Sequence, residues 1–318
     1  MVNWMVLLMH IYIIIKNKVI IVIAAALPNR RREGLFMSVL QRIIESGLYG
    51  LFIKHYEITG VPMLLWMIPP ILLCLAGGYL LGSLNSAIIV SKLVYSDDVR
   101  RHGSGNAGMT NMFRTWGKKA GILTLIGDVL KTVLSIVLGY LWFGYMGAYL
   151  AGLFCMLGHM FPLYYKFRGG KGVLAAAVMI LMTEPPVFLV LIVIFVIVLL
   201  GTRMVSMASG MAALLYPLVL NGTYSVFYGD GAVAGMRIPI AVFMTVMILV
   251  MHRENFKRIY NGKEPKIRFP WNHDEKQQVV EETPHSFSSE DEDEPKPADN
   301  APGRRTVKKK STYGKKKK

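Results

Sequence analysis

The stretch Pro186–Leu200, PVFLVLIVIFVIVLL, decides the fold class. It carries no charge, and with Gly201 and Thr202 it approaches the roughly 20 residues that a helix needs to cross a bilayer. The whole chain agrees with it. Of 318 residues, 53% are hydrophobic, only 18% are charged and 20 are Met, and the mean hydropathy is +0.41. A soluble domain is typically about 45–50% apolar and about 25% charged, so this composition leaves too little polar surface to face water. A soluble enzyme and a secreted disulfide scaffold are both excluded. Cys74 and Cys155 lie in apolar segments and read as small buried hydrophobes. The expectation is an all-α polytopic membrane protein, and no residue cluster calls for a cofactor or a metal.

The net charge of +16 raises nucleic acid as a partner, and its placement argues against that. Residues 273–318 hold 11 Lys/Arg against 10 Asp/Glu. Almost all of the excess therefore sits in the membrane part and its loops, where the positive-inside rule accounts for it. Binding of a phosphorylated substrate is the second use for such cations.

Three regions follow. Residues 1–62 form an N-terminal extension: Met5–Ile15 and Val19–Leu27 are apolar, Lys16–Lys18 split them, and Arg30–Arg32 follow. It reads as an extra span, a poor signal-like segment, or sequence upstream of a working start at Met63 or Met67. Nothing in 33–62 reads as a return crossing. Residues 63–272 read as the membrane domain, with helices expected near 67–93, 121–143, 146–164, 172–183, 186–202, 204–220 and 237–255. Residues 273–318 carry the acidic block Glu290–Glu294 and then Lys-rich runs, a composition expected to stay disordered, with no identifiable partner. Basic and non-basic loops alternate along the membrane domain, which predicts seven crossings with the basic loops cytoplasmic. The triple Arg at 30–32 does not fit that arrangement easily.

Three polar stretches interrupt the apolar domain, and the predicted topology puts them on one face. The first is Gly103-Ser104-Gly105-Asn106-Ala107-Gly108-Met109-Thr110-Asn111, with Asp98 and Arg100 before it and Arg114 after. Its glycines permit positive φ and bring backbone N–H groups close to a ligand, and Arg supplies a forked donor for phosphate. Alone it is equally an ordinary flexible loop. The second runs from Gly158-His159 to Arg168-Gly169-Gly170-Lys171-Gly172-Val173, opening onto an apolar helix. A helix N-terminus with glycines and a Lys is an anion site. A positive-inside anchor would explain Lys171 but not the glycines, and His159 is either packed or functional. The third is His252-Arg253-Glu254-Asn255-Phe256-Lys257-Arg258, continuing to Gly262 and Glu264. His252 and Asn255 share a helix face at i and i+3. On its own, that stretch reads as a basic flank of the last helix.

Together, GSLNSAIIVSKL…RRHGSGNAGMTNMFR, GHMFPLYYKFRGGKGV and HRENFKRIYNGKE closely resemble the three motifs of the PlsY family, over about residues 68–268. The resemblance implies a seven-helix enzyme of the bacterial cell membrane with its site facing the cytoplasm. It would transfer a fatty acyl group from acyl phosphate to the 1-hydroxyl of glycerol 3-phosphate, giving lysophosphatidic acid and phosphate. By motif position, the family's polar site residues correspond here to Ser104, Arg114, Lys171, His252 and Asn255, and Gly169–Val173 to its phosphate-binding loop. Gly103, Gly105, Asn106, Asn111 and His159 complete the expected substrate-binding set. Met109 and Leu174 stand where the family usually has Ala, and Ala175 where Thr is common; the first two add bulk near the site.

The chemistry agrees: both substrates carry phosphate, and an acyl phosphate is already activated, so positioning and charge stabilisation suffice. Whether His252 or a phosphate oxygen takes the hydroxyl proton stays open at this level. The HxxxxD signature of other glycerolipid acyltransferases is absent. A transporter of phosphate esters is the main rival; Asp128 and Lys131, an i, i+3 pair, come nearest to the midplane charges it needs, and read instead as a structural or supporting pair. A membrane scaffold would leave the glycine–lysine loop unexplained.

Overall fold

A computed structural model describes residues 47–57, 60–228 and 237–267. The readings of residues 1–46 and of the charged tail lie outside the described residues. Every regular element among the described residues is helical: α1 (47–55), α2 (Gly60–Ser83), α3 (Ser86–Tyr95), α4 (Met109–Met160), α5 (Val173–Thr183), α6 (Pro185–Thr202), α7 (Val205–Tyr228), α8 (Arg237–Met251) and α9 (Arg253–Tyr260). Apolar side chains ring the outside, among them Leu130, Ile197 and Leu218 at 62%, 64% and 69% exposure. Ser83, Asn85, Ser91, Thr132 and Ser135 are buried inside. That inversion is what lipid selects, since the surroundings are as apolar as a core and polar groups must find partners within the bundle. The chain is an integral membrane protein.

The long α4 is not one rod. Gly117 (φ 79°) breaks it near its start, and Phe143 and Gly144 (φ 58°) break it again. The segments 118–142 and 145–160 then lie antiparallel. Ser135 donates to the Ala151 carbonyl at 3.0 Å, Cys155 lies 3.8 Å from Thr132, and Gly139 abuts Gly147 backbone to backbone. Against this hairpin α2 runs parallel to its second arm: a side chain at Gly78 would strike the Ala151 carbonyl and one at Gly82 the Cys155 carbonyl, both indices rising together. Glycine is required at these crossings because the backbones touch.

The remaining helices alternate in direction. Met179 of α5 meets Gly152, and Tyr145 donates to the Thr183 carbonyl at 2.6 Å. Thr245 of α8 donates to the Ala213 carbonyl of α7 at 2.7 Å, while Ser209 lies 3.0 Å from His252 one turn and more further along. The three polar stretches thereby gather at one end of the bundle. The far end is fastened by the buried Glu184, whose Oε1 lies 2.5 Å from the Tyr149 hydroxyl, 2.8 Å from that of Tyr145 and 3.2 Å from Arg237 Nε.

By length and composition, four helices among the described residues are fit to cross a membrane, or five if α8 and α9, bent by 55°, form one span. The expected single helix over 67–93 instead ends at Ser83 and restarts at Ser86, because the Asn85 side chain accepts from Ile88 N and caps α3. Residues 47–55 are helical where no crossing was expected, and Gly47 sits against the backbone of Trp142–Gly144.

The α2 contact gives a paired test. Gly78→Ala should destabilise the purified protein by about 1–3 kcal/mol through overpacking, while Gly77→Ala, with nothing within 4 Å of the added methyl, should leave it level or better. Size-exclusion profiles after graded heating in detergent read the difference.

Candidate active site

Three loops meet at the site end, and two ties hold them. Arg100, paired with Asp98 at 2.6 Å, donates to the carbonyls of Tyr165 and Arg168 at 2.9 and 3.2 Å, joining the first polar stretch to the second. Asn85 donates to the Ala107 carbonyl at 3.3 Å. Between the loops lies a cleft of about 150 Å³, lined by Ser104, Gly105 and Asn106 of the first stretch, Lys171 of the second, Glu254, Asn255 and Arg258 of the third, and Met251 just before it. All three stretches contribute.

Lys171 is the cationic centre of the cleft. It follows Gly170 in the turn that opens α5, and its Nζ donates to Asn255 Oδ1. Burial pushes its pKa down to about 8; Glu264 opposes that shift, and the Arg258 and Arg114 cations add to it. Such a lysine gains most when an anion arrives, because an opposite charge relieves both the desolvation and the repulsion. Asn255 is fixed in turn, since its Nδ2 donates to Glu264 Oε1 at 2.7 Å. Glu264 also accepts from Ser206 at 2.6 Å and from Arg258 Nε at 2.8 Å. Burial works to raise Glu264, but these hydrogen bonds outweigh it and keep the carboxylate ionised.

Several expected site residues stand behind the cleft rather than in it. His252 is 2% exposed; its Nδ1 lies 2.8 Å from the Ile248 carbonyl and its Nε2 3.0 Å from Ser209 Oγ. A carbonyl can only accept, so Nδ1 carries the proton and Nε2 is the bare nitrogen facing Ser209, whose hydroxyl also lies 3.2 Å from the Ser206 carbonyl. Asn111 is 1% exposed and spends its amide on the first loop, donating to the carbonyls of Val99 and His102 and accepting from Ser104 N. Gly103 (φ 55°) leaves room for that amide. His159 is buried beside Lys131 and Asp128, at 3.0 and 3.5 Å. Arg114 is exposed and lies outside the cleft lining, near enough to bear on the charge of Lys171.

The second loop also differs from the expectation of free amides along its length. Gly169 N donates to the Met160 carbonyl and Gly170 N to that of His159, so these two close off the end of α4. Their lack of side chains is a packing need, because a Cβ on Gly169 would meet the His159 carbonyl and one on Gly170 the His159 ring. Lys171 is the residue of this turn that lines the cleft; Gly172 (φ 75°) then turns the chain into the helix at Val173, whose first amides have no intrahelical partner. Neither Met109 nor Leu174 lines the cleft, so their bulk does not narrow it.

Sequence reasoning passed over Ser206 and Ser209, and quoted Glu254, Arg258 and Glu264 within the third stretch without giving them a role. Glu264 had a signal, as a carboxylate among Lys257, Arg258, Lys263 and Lys266. The two serines, at i and i+3 on the first turns of an otherwise apolar helix, had a fainter one.

The family model described as "Glycerol-3-phosphate acyltransferase" matches residues 72–262, which include all three loops. The chain belongs to the glycerol-3-phosphate acyltransferase family. Two of its similar relatives carry that same name: the protein of Bacillus subtilis (strain 168) is 39% identical over 191 residues, covering 60% of this chain and 94% of that one. The protein of Geobacillus kaustophilus (strain HTA426) is 42% identical over 195 residues, covering 60% and 93%. A crystal structure of PlsY (YgiH), an integral membrane glycerol 3-phosphate acyltransferase in its glycerol 3-phosphate form, superposes with a TM-score of 0.55 at 32% identity, covering 62% of this chain and 96% of that one. A second, in the lysophosphatidic acid form, gives 0.53 at 31% identity, covering 62% and 95%.

The lowered pKa is directly testable. Because Lys171 loses its proton near pH 8 and an ordinary lysine near 10.4, an amine-selective reagent at pH 8 should label Lys171 ahead of the exposed lysines. Peptide mass mapping over a pH series should place its midpoint at least one unit below theirs, and equal midpoints would contradict the burial argument.

Proposed function

We propose that this chain transfers a fatty acyl group from acyl phosphate to the 1-hydroxyl of glycerol 3-phosphate, giving lysophosphatidic acid and inorganic phosphate. The observation that carries this reading is the partly desolvated Lys171, held by Asn255 in a cleft with Ser104–Asn106, in a chain of this family. The family's activity supports the acceptor and the acyl transfer. The donor rests on the motif resemblance and on the make-up of the cleft, whose lining includes Ser104 but no histidine; the Ser209–His252 pair lies outside it. A donor with phosphate as leaving group needs no such pair.

In this reading the acceptor hydroxyl oxygen attacks the acyl carbonyl carbon, and the carbon–oxygen bond to phosphate breaks. The hydroxyl proton passes to a phosphate oxygen, since His252 is buried outside the cleft lining. Lys171, the α5 amides and the Ser104–Asn106 backbone hold phosphate and steady the developing negative charge, with Arg114 closing in from the rim. Asn255 aims Lys171, and His252 and Asn111 hold the segments that carry Asn255 and Ser104. Residues 63–272 form the acyltransferase domain, with seven crossings, in the bacterial cell membrane. The basic loops supply the reason to put the cleft on the cytoplasmic side.

Purified protein given palmitoyl phosphate and radiolabelled glycerol 3-phosphate should form labelled lysophosphatidic acid, and palmitoyl-CoA should not replace the donor. Lys171→Ala should lower the rate by about two to three orders of magnitude. Product from palmitoyl-CoA alone would overturn the donor, and no product from either would overturn the reaction.

A further inference from the structure

Asp128, Lys131 and His159 are buried at 2%, 7% and 5% exposure on the two arms of the α4 hairpin, behind the cleft and outside its lining. A charged cluster there is costly unless every member is paired, and it is paired in an unusual way. Lys131 Nζ lies 2.9 Å from Asp128 Oδ1 and 3.0 Å from His159 Nδ1, and donates to the carbonyls of Gly82 and Leu84 at 3.1 and 3.0 Å. The Gly82 carbonyl is among the last of α2, and the Leu84 carbonyl lies one residue past its end. An ammonium on the C-terminal carbonyls of a helix satisfies groups that have no partner of their own and faces the negative end of the dipole.

What is joined to each contact gives the cluster its meaning. Leu84 is followed by Asn85, whose side chain donates to Ala107 and so carries the first glycine loop. His159 presents its Nε2 to Gly170, whose N–H returns to the His159 carbonyl, and so carries the second. The loops also touch directly, since a Cβ on Gly170 would lie 2.8 Å from the Ala107 carbonyl. One ammonium is thus tied to both walls of the cleft from behind.

We infer that Lys131, seated by Asp128 and His159, is a positioning residue that fixes the spacing between the Ser104–Asn106 loop and Lys171. It acts on the ligand through those loops and does not touch it. The inference rests on the phosphate-binding role of the cleft proposed above, and adds to it residues that lie behind the loops. A shift of about 1 Å between groups that grip one phosphate costs up to about a hundredfold, so the effect should be large and should fall on substrate capture.

The test uses the full chain and two variants: Asp128→Asn with Lys131→Met, which removes both charges together, and His159→Phe, which keeps a ring and removes its nitrogens. Two quantities are read in each. One is the split between KM for glycerol 3-phosphate and kcat; the other is the concentration of glycerol 3-phosphate that protects Lys171 from an amine reagent, which needs no turnover. Both variants should raise KM and the protecting concentration about tenfold or more, with kcat at saturation within about threefold of the unaltered chain. Unchanged KM and protection would overturn the inference. So would a loss confined to kcat, or aggregation of both variants, which would make the cluster a folding element only. If the unaltered chain forms no acyl product but glycerol 3-phosphate still protects Lys171, the acyl-transfer reading fails while the positioning role is still decided by protection in the variants.

Discussion

The close approach of α2 to the α4 hairpin is the constraint on which the rest depends. Gly78 and Gly82 lie against the carbonyls of Ala151 and Cys155, with no side chain between the backbones. In lipid there is no hydrophobic gain from bringing two apolar helices together, so close packing and internal hydrogen bonds have to hold them. Only at that separation does the end of α2 come within reach of Lys131 on the first arm, and the loop after the second arm come within reach of the loop before α4. The cleft is a consequence of helix spacing set some distance away.

Much of the fold was legible because it rests on long-range averages of composition. The apolar runs over 186–200 and 237–251 need no tertiary information, and the helical segments after α4's first break fall close to their expected places, except that the one expected over 204–220 runs on to Tyr228. What was not legible were the breaks inside apolar sequence. Phe143–Gly144 split α4 where expected, but Ser83–Ser86 reads through as helix although it holds Asn85, an N-cap type of residue whose side chain accepts from Ile88 N. The 11-residue α5 is too short to span alone and is held by Tyr145 and Met179 contacts, which no hydropathy window records.

The site divides along the same line. Residues whose place in the cleft follows from local sequence, such as Lys171 beside the α5 N-terminus and the Ser104–Asn106 loop, were readable from spacing. Residues whose role depends on partners far along the chain were not. His252 and His159 looked alike as polar residues at helix ends, yet Ser209 and Ile248 commit one and Lys131 and Asp128 the other. Glu264 was visible only as the end of a basic stretch, because its partners Ser206, Asn255 and Arg258 come together through the bend between α8 and α9.

The closing of the α4 end by Gly169 and Gly170 bears on how a ligand would be met. Their amides are spent on Met160 and His159, so the turn into α5 is built by the protein itself, with no anion needed to shape it. Ordering a loop around a ligand consumes part of the binding free energy, and a loop already ordered leaves that part available. In an acyltransferase, which has two substrates, a pre-shaped cradle does not need either one to arrive first and order it. Order of addition is then set by access to the cleft, not by folding of its walls.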